Sequence, residues 1–376
     1  MKETIVKIVL ASMICFCIAC NKEEQEKPEV PKFTWTQTDF TEKVVFPGGR
    51  WMYRPKLKVL DDILFVSHNK GIFSKNLSEN DSRWELFALG DIGWPIIDFV
   101  KNGDKILAVS NTGSYKDSLL YLSVDNGKTF ENFTSPDLFQ GNYDWGWIGT
   151  DCNIAIQIAQ HPVNKNIIAL LTHYGVSISE DFGLSWKHVF ERIPMGQDWH
   201  LGIHPLDGNT MFYTGENLSF TGVISKSSDG GNSWSNWDTM INGGGDDCVH
   251  SIAYNPTNPD ILVHGAEGWI RKSTDRGKTW NTIELRHTGM YFYKVLFDNN
   301  NPKIVYATGG SGGSSMNGTV FHLYRSTDTG DSWHHVFEYD TNVAWGGVIL
   351  DMVQYRNKLF LYSNACGVVE LDFSRQ

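Results

Sequence analysis

Short runs of alternating apolar and polar residues fill most of this chain, and turns rich in Pro, Asn and Gly separate them. One unit reads IAIQIAQH, a turn PVNKN, IIALLTH, GVSISE, a polar turn and SWKHVF, which gives four such runs in succession. Runs of β-branched and aromatic residues bounded by turn residues predict β-strands. The same order recurs near the start, in LKVLDDILFVSHNKGIFSKNL and RWELFAL. The pattern therefore predicts an all-β chain made of four-stranded units.

An eight-residue phrase of the form S-x-D-x-G-x-x-W, here called the box, marks the polar turn in five of these units. Its copies are SVDNGKTF, SEDFGLSW, SSDGGNSW, STDRGKTW and STDTGDSW, and their aspartates are Asp125, Asp181, Asp229, Asp275 and Asp328. A spacing near fifty residues with strand-like filling predicts the blades of a β-propeller. The Ser and Asp side chains can bond nearby backbone N–H groups, while Gly adopts the positive φ of the turn. We therefore expect the boxes to be structural.

The two ends of the chain complement each other. The C-terminal segment GVILDMVQYRNKLFLYSNACGVVELDF supplies only three strands, and KFTWTQTDF at 32–40 can supply a fourth. Pairing them leaves no open sheet edge. We expect a single seven-bladed β-propeller of four-stranded antiparallel blades over 32–376, closed by pairing the N-terminal strand with the C-terminal blade.

Composition agrees with a globular, turn-rich protein, since 41% of the residues are hydrophobic and 36 are Gly. The net charge is −11, and Lys and Arg are scattered along the chain. This distribution excludes the basic patch that nucleic-acid binding requires. Three cysteines, Cys152, Cys248 and Cys366, lack the spacing of zinc ligands, so we expect buried thiols.

The N-terminus predicts export. Lys2 and Lys7 precede the apolar run IVLASMICFCIAC, which is too short to span a bilayer and reads as a signal peptide over 1–19. Its end resembles a bacterial lipobox, which implies lipidation of Cys20; a plain secretory signal is the alternative. Residues 20–31 form a charged, Pro-containing tether. The tether's start is similar to a surface-export signal of lipoproteins, so we expect an outer-membrane, surface-exposed protein that contacts the membrane through this anchor.

With its five boxes at blade spacing, the chain resembles the Asp-box (BNR-repeat) propeller superfamily, which includes sialidases, xyloglucan-type endoglucanases, sortilin receptors and a photosystem assembly factor. The resemblance implies that the boxes lie on outer turns, away from the central funnel. It leaves function open because members with the same boxes differ in activity. The ligand face is expected in the loops that enter each innermost strand and in those that join the second and third strands.

These loops are rich in aromatic and polar side chains. A sugar ring stacks on indole or phenol, and its hydroxyl groups bond to Asp, His and Arg. Alternatively, the Trp side chains plug the pore or pack between blades. The predicted substrate-binding residues are Arg54, Trp94, Trp147, Asp151, Trp199, His200, His250, Arg286, Tyr291 and Trp345.

Four carboxyl groups in the same loops are candidates for catalysis: Asp198, Asp247, Glu216 and Glu267. Glycoside hydrolysis generally uses two carboxyl groups about 5 to 9.5 Å apart. The alternative for each is a hydrogen bond that caps a turn or joins two blades. No metal site or cofactor is predicted, and calcium at Asp246 or Asp247 is the one alternative.

The sequence departs from the enzymes it resembles. Tyr53-Arg54-Pro55 lacks the Ile of the sialidase motif, and the Arg192-Ile193-Pro194 segment follows the second box. A sialidase has six blades, and xyloglucan-type enzymes pair two propellers. We therefore predict a glycan-interacting surface lipoprotein, acting as a glycoside hydrolase on an oligosaccharide or chain end. The alternatives are a non-catalytic module, either a glycan-capture protein of an uptake complex or a binder of a peptide or protein, and a structural assembly factor.

Overall fold

The computed structural model describes residues 33–40, 56–90, 92, 94–111, 118–133, 138, 155–172, 175–191, 198–216, 222–235, 249–283, 285, 290–311, 318–343, 347–363 and 365–373. The predicted signal peptide, the tether and Cys20 lie outside these residues and stay predictions.

Seven antiparallel sheets account for all strands of the described residues, which contain no α-helix. Each sheet is one blade, and its strands follow one another along the chain except in the last blade, which also contains the N-terminal strand. Blade 1 comprises β2 (Leu57–Leu60), β3 (Ile63–His68), β4 (Gly71–Asn76) and β5 (Glu85–Ala88). Blade 2 comprises β6 (Ile96–Asn102), β7 (Lys105–Asn111), β8 (Ser118–Ser123) and β9 (Glu131–Asn132). Blade 3 comprises β10 (Ala155–Gln160), β11 (Ile168–Thr172), β12 (Gly175–Ser179) and β13 (Lys187–Glu191).

The second half of the ring repeats this plan. Blade 4 comprises β14 (Asp198–Ile203), β15 (Met211–Glu216) and β16 (Gly222–Ser227). Blade 5 comprises β17 (Val249–Tyr254), β18 (Leu262–Ala266), β19 (Ile270–Ser273) and β20 (Asn281–Ile283). Blade 6 comprises β21 (Met290–Phe297), β22 (Val305–Ser311), β23 (Val320–Ser326) and β24 (His334–Asp340). Blade 7 comprises β25 (Ile349–Tyr355), β26 (Lys358–Ser363), β27 (Gly367–Asp372) and β1 (Thr34–Gln37). Blade 4 has three strands within the described residues, and beyond β16 the Ser235 N–H donates to the Lys226 carbonyl oxygen at 2.7 Å.

The closure predicted from the two ends is confirmed. Strand β1 pairs antiparallel with β27, so Thr34 lies opposite Asp372 and Gln37 opposite Val369. The first strand of blade 7 also contacts the first strand of blade 1. The ring is therefore complete, and both the seven-bladed architecture and its closure follow the sequence pattern.

Apolar side chains fill the spaces between adjacent blades. One cluster joins blades 3 and 4 through Leu171, Val176, Leu201 and Tyr213, all fully buried. The box Trp280 extends another cluster between blades 4 and 5 and is only 4% exposed. Since each strand shows one face to each neighbouring blade, near-continuous apolar runs are the expected pattern for the inner strands.

All five boxes form the same turn, with the side-chain to backbone bonds expected from the sequence. In the third copy, Ser227 Oγ accepts from the Gly231 N–H at 2.8 Å and donates to Asp229 Oδ1 at 2.8 Å. The Asp229 carboxylate then accepts from the N–H and the hydroxyl of Ser233. Gly231 has φ of 88°, a conformation that only glycine adopts readily.

The strand directions define two faces of the ring. The top face holds the loops that enter each innermost strand and the hairpins between second and third strands. The opposite face, here called the box face, holds the boxes and the hairpins between first and second strands. The implied separation of the boxes from the ligand face therefore follows directly from the topology.

Candidate functional site

A repeated β-bulge shapes the innermost strands. In six blades the pairing of the first two strands skips one residue at the same place, and the skipped residues are Ile97, Ile156, Trp199, His250, Tyr293 and Leu350. A bulge re-aims the side chains around it. The residues that directly follow the bulges, here called the channel ring, are Asp98, Gln157, His200, Ser251, Lys294 and Asp351.

Two carboxylates of the channel ring are fixed in ion pairs. Asp351 Oδ1 lies 2.6 Å from Lys294 Nζ, and Asp98 Oδ1 lies 2.7 Å from Lys58 Nζ. Burial by itself would raise the pKa of Asp351, but the ammonium groups of Lys294 and Lys56 hold that pKa below its ordinary value. Both carboxylates are nearly inaccessible to solvent. The two ion pairs therefore stabilise the inner strands that surround the channel.

The same ring joins neighbouring blades through backbone bonds. Asp351 accepts from the Leu57 N–H at 2.9 Å, and Ser251 accepts from the Val295 N–H at 3.0 Å. Gln157 bonds to both the N–H and the carbonyl oxygen of Leu201. These side-chain groups therefore serve to hold neighbouring blades together.

His200 is the exception in the ring. Burial and the positive charges of Lys294 and Lys56 hold the pKa of His200 well below its ordinary value, so the imidazole is uncharged at pH 7. Its Nε2 atom has no hydrogen-bond partner among the described residues. The imidazole lies beside Gly202 and the Tyr254 hydroxyl. His200 therefore lies in the central channel rather than in the loops of the top face.

Three of the predicted site residues meet at the top face between blades 5 and 6. His250 Nε2 lies 3.9 Å from Glu267 Oε1, and the His250 ring lies 5.7 Å from the ring of Tyr291 and 5.0 Å from that of Tyr293. Glu267 forms a β-bridge with Tyr291 that ties the hairpin of blade 5 to blade 6. We call His250, Glu267 and Tyr291 the top-face cluster.

The bulge explains why His250 reaches this position. At the equivalent place other blades carry apolar residues such as Ile97, Ile156 and Leu350, all buried. His250 is also buried at 3% exposure, whereas the Glu267 side chain retains 14%. A carboxylate, an imidazole and phenol rings in one place can bind hydroxyl groups of a ligand and stack against its apolar face.

The backbone places two further candidates at the top face. Asp198 is the first residue of β14 and pairs with Gly215, which directly precedes Glu216 at the end of β15. The two residues therefore lie at the same end of adjacent strands, in the blade next to the top-face cluster. Trp199 is the bulged residue of this blade.

Trp94 lies just before the innermost strand of blade 2 and is 41% exposed, so it does not plug the channel. Blade 2 is separated from the top-face cluster by the width of the ring. The remaining candidates lie outside the described residues and stay predictions; they are Arg54, Trp147, Asp151, Asp247, Arg286 and Trp345. Asp246, the alternative calcium ligand, lies outside them as well.

Sequence reasoning missed the ion pairs of the channel. A signal was present, since Asp98, Lys294 and Asp351 each follow two large apolar residues near the start of an innermost strand. The sequence pattern also placed His200 and His250 together among the predicted substrate-binding residues. The register shows instead that His200 is equivalent to Ser251, one position further along.

Two surface cavities lie on the box face and contain none of the predicted substrate-binding or catalytic residues. One, of 250 Å³, lies between blades 6 and 7 and is lined by Asp298, Tyr306 and Arg325. The other, of 600 Å³, lies between blades 4 and 5, where Arg276 pairs with Asp207 and Asp260 at 3.4 and 3.2 Å.

Across the part of the chain that the structure describes, no helix has the length and apolar character of a membrane span.

Comparison with known proteins extends the resemblance. The family model for sortilin, neurotensin receptor 3, matches residues 222–365, which run from β16 to the hairpin between β26 and β27. Sortilin from Danio rerio is 25% identical over 255 residues, which cover 65% of this chain and 27% of sortilin. This chain thus spans about a quarter of the length of that relative.

Solved structures share the fold at low identity. A structure described as YCF48 bound to D1 peptide is similar with a TM-score of 0.60 and 13% identity, covering 90% of this chain and 94% of the other. The GH74 xyloglucanase from Xanthomonas campestris has a TM-score of 0.60 and 14% identity, covering 91% of this chain and 54% of the enzyme. Together with the seven blades, these structural similarities show a β-propeller fold.

Proposed function

We propose that the top face of blades 4 to 6 binds a glycan, with the top-face cluster at its centre. The observation that carries this proposal is the convergence of His250, Glu267 and Tyr291 from three separate segments of the chain. A sugar offers hydroxyl groups to the carboxylate and the imidazole, and its C–H face to the phenol ring. The boxes, and the channel-ring residues other than His200, take no part, because their polar groups are bound within the fold.

The proposed activity is hydrolysis of a glycosidic bond in an oligosaccharide or at a chain end. It requires a second carboxyl group beside Glu267. Asp198 and Glu216 end adjacent strands of the neighbouring blade at the same face, which supports them as sources of that group. A single propeller offers a funnel rather than a long cleft, so a chain end suits it better than the middle of a polymer.

The test is a glycan panel screened for both binding and release of reducing ends, with the full chain. We expect one glycan class to bind, and we expect Glu267→Gln to weaken binding or stop release while the thermal midpoint stays unchanged. Glu131→Gln is the matched control, because Glu131 is exposed on the outermost strand of blade 2. Binding and reducing-end release that are both unchanged in Glu267→Gln would remove the top-face cluster from the proposal.

A second candidate function is capture of a peptide. The sortilin match at 222–365 covers all three residues of the top-face cluster, and the similar YCF48 structure is described as bound to a peptide. Absence of glycan binding across the panel, combined with peptide binding that Glu267→Gln abolishes, would establish this function. Glycan binding without release would instead establish a glycan-capture protein.

The proposed location is the outer-membrane surface, with Cys20 as the lipidated residue. Two features support it: the apolar run that ends at Cys20, and the charged tether that follows. Metabolic labelling with a radioactive fatty acid should mark the wild-type chain and leave Cys20→Ala unlabelled. Protease added to intact cells should then degrade the wild-type chain. Equal labelling of both chains would contradict lipidation at Cys20.

A further inference from the structure

A cluster of two histidines and one glutamate lies on the two outer strands of blade 6. His322 is on β23, and His335 and Glu338 are on the neighbouring strand β24. His322 lies directly opposite Glu338 in the register. Among the described residues, these three form the one group of His, Cys, Asp and Glu side chains whose donor atoms lie close enough together to share a metal ion.

A β-bulge brings the three side chains to one face of the sheet. Residues three apart on a regular strand point to opposite faces. In this pair of strands Leu323 lies opposite Phe337 while Tyr324 lies opposite His335, so Val336 is skipped. The skipped residue restores His335 to the face that carries Glu338 and His322. The cluster therefore depends on the bulge as well as on the residue types.

Other blades have the same bulge without the full set of donors. In blade 3 the register shifts between Val176 and Ser177, so His188 is equivalent to His335. The position equivalent to His322 is Gly175 in that blade, and it is Gly71 in blade 1. Histidine at this position is therefore a departure of blade 6 from the repeat.

The distances between the donor atoms match a transition-metal site. His322 Nδ1 lies 3.1 Å from His335 Nε2 and 3.5 Å from Glu338 Oε2, and His335 Nε2 lies 3.8 Å from Glu338 Oε2. A circle through three points at these distances has a radius of about 2.0 Å, which is the length of a Zn–N or Zn–O bond. One ion can thus contact all three atoms with little movement of the side chains.

The surroundings suit an ion that keeps an open position. The His322 side chain is 22% exposed, that of His335 40% and that of Glu338 63%, so solvent reaches the cluster from one side. The ring of Tyr324 packs edge-on against His335 at 5.2 Å and orients it.

We propose that His322, His335 and Glu338 bind a Zn²⁺-class divalent ion on the outer edge of blade 6, with at least one coordination position left for water or another ligand. Two imidazoles and a carboxylate suit zinc and its neighbours in the first transition row, whereas calcium and magnesium prefer oxygen donors alone. The ion would join strands β23 and β24. This site is independent of the proposed glycan function.

The test is titration of the chelator-treated full chain with Zn²⁺, followed by calorimetry. We expect one ion bound per cluster, and we expect His322→Ala and His335→Ala each to weaken binding at least tenfold. His334→Ala is the matched control, because His334 is the preceding residue on β24 and lies outside the cluster. Mg²⁺ in large excess should not compete.

The thermal midpoint provides a second measurement for the case in which a variant binds Zn²⁺ poorly for another reason. An ion that binds only the folded chain raises its thermal midpoint. Zn²⁺ should therefore raise the midpoint of wild type and of His334→Ala, and should leave those of His322→Ala and Glu338→Gln nearly unchanged. No saturable Zn²⁺ binding by wild type, or equal binding by His322→Ala and His334→Ala, would overturn the assignment.

Discussion

The hydroxyl group of Tyr254, in the innermost strand of blade 5, lies against the Cα atom of Gly202, in the innermost strand of blade 4. A Cβ atom at Gly202 would overlap that hydroxyl oxygen and lie 2.7 Å from Nε2 of His200. Both strands belong to the inner wall of the ring, so neither can move without disturbing the next blade. Glycine is therefore required here by the close approach of two blades.

We predict that Gly202→Ala destabilises the fold by about 1 to 3 kcal/mol, the usual cost of added volume in a packed core. The Tyr254 hydroxyl is buried and has no hydrogen-bond partner among the described residues. Tyr254→Phe should therefore be neutral or stabilising, and in combination it should recover part of the loss. Urea unfolding of the two single variants and the double variant measures this coupling. Purely additive effects would contradict the contact.

The box predicts a second effect on stability. Ser227 is buried, and its hydroxyl accepts from the Gly231 N–H and donates to Asp229. Ser227→Ala leaves that N–H without an acceptor, so we expect a loss of about 1 to 3 kcal/mol. The neighbouring Ser228 is exposed and serves as the matched control. Equal urea midpoints for the two alanine variants would show that the box bond contributes nothing.

The sequence predicts those parts of the fold whose interacting residues lie close together in the chain or follow a simple strand pattern. The box turn is predictable because all its donors and acceptors lie within seven residues. The closing strand was predictable because a three-stranded C-terminal blade requires a partner and residues 32–40 alternate as a strand. Both features rest on local pattern and on the rule that sheet edges are covered.

The candidate site was less predictable because bulges change which residues are equivalent. His200 and His250 were both predicted to bind substrate from the top-face loops, but the bulge places the first in the channel and the second in the top-face cluster. For the same reason strict alternation predicts His335 and Glu338 on opposite faces of the sheet, whereas the bulge in the structure brings them to the same face. A bulge inserts one residue without a strong signature in residue type, so the sequence alone does not locate it.

The box also predicts a dependence of stability on pH. Hydrogen bonds from Ser233 and Ser227 lower the pKa of Asp229 to about 2, against an ordinary value of 3.8. A folded-state pKa below the unfolded one adds stability above pH 3.8, and that stability is lost as the pH falls toward 2. Asp229→Asn keeps an acceptor oxygen but has no proton to take up. The gap in thermal midpoint between wild type and variant should thus be constant above about pH 5 and shrink toward pH 2. A gap independent of pH would contradict the lowered pKa.

The ion pair of Lys294 and Asp351 should matter more than a surface pair of similar length. Asp351 is almost fully buried and also accepts from the Leu57 N–H, so it joins blades 6, 7 and 1 at the point where the ring closes. Its removal leaves a lysine charge and a backbone N–H without their partner, and we expect Asp351→Ala to cost about 3 to 5 kcal/mol. The comparison is the pair of Lys272 and Asp331, 2.8 Å apart, in which the lysine is buried but the carboxylate is 64% exposed.

Asp331→Ala should cost less than Asp351→Ala, because the Asp331 carboxylate is solvated and loses little hydration in the pair. Urea unfolding of both variants, followed by tryptophan fluorescence and by circular dichroism, measures the two costs. Asp351→Ala should in addition unfold in a broader transition, since a ring opened at its closure loses the coupling between its first and last blades. A cost for Asp351→Ala no greater than that for Asp331→Ala would mean that the backbone pairing of β1 with β27 closes the ring without help from the channel.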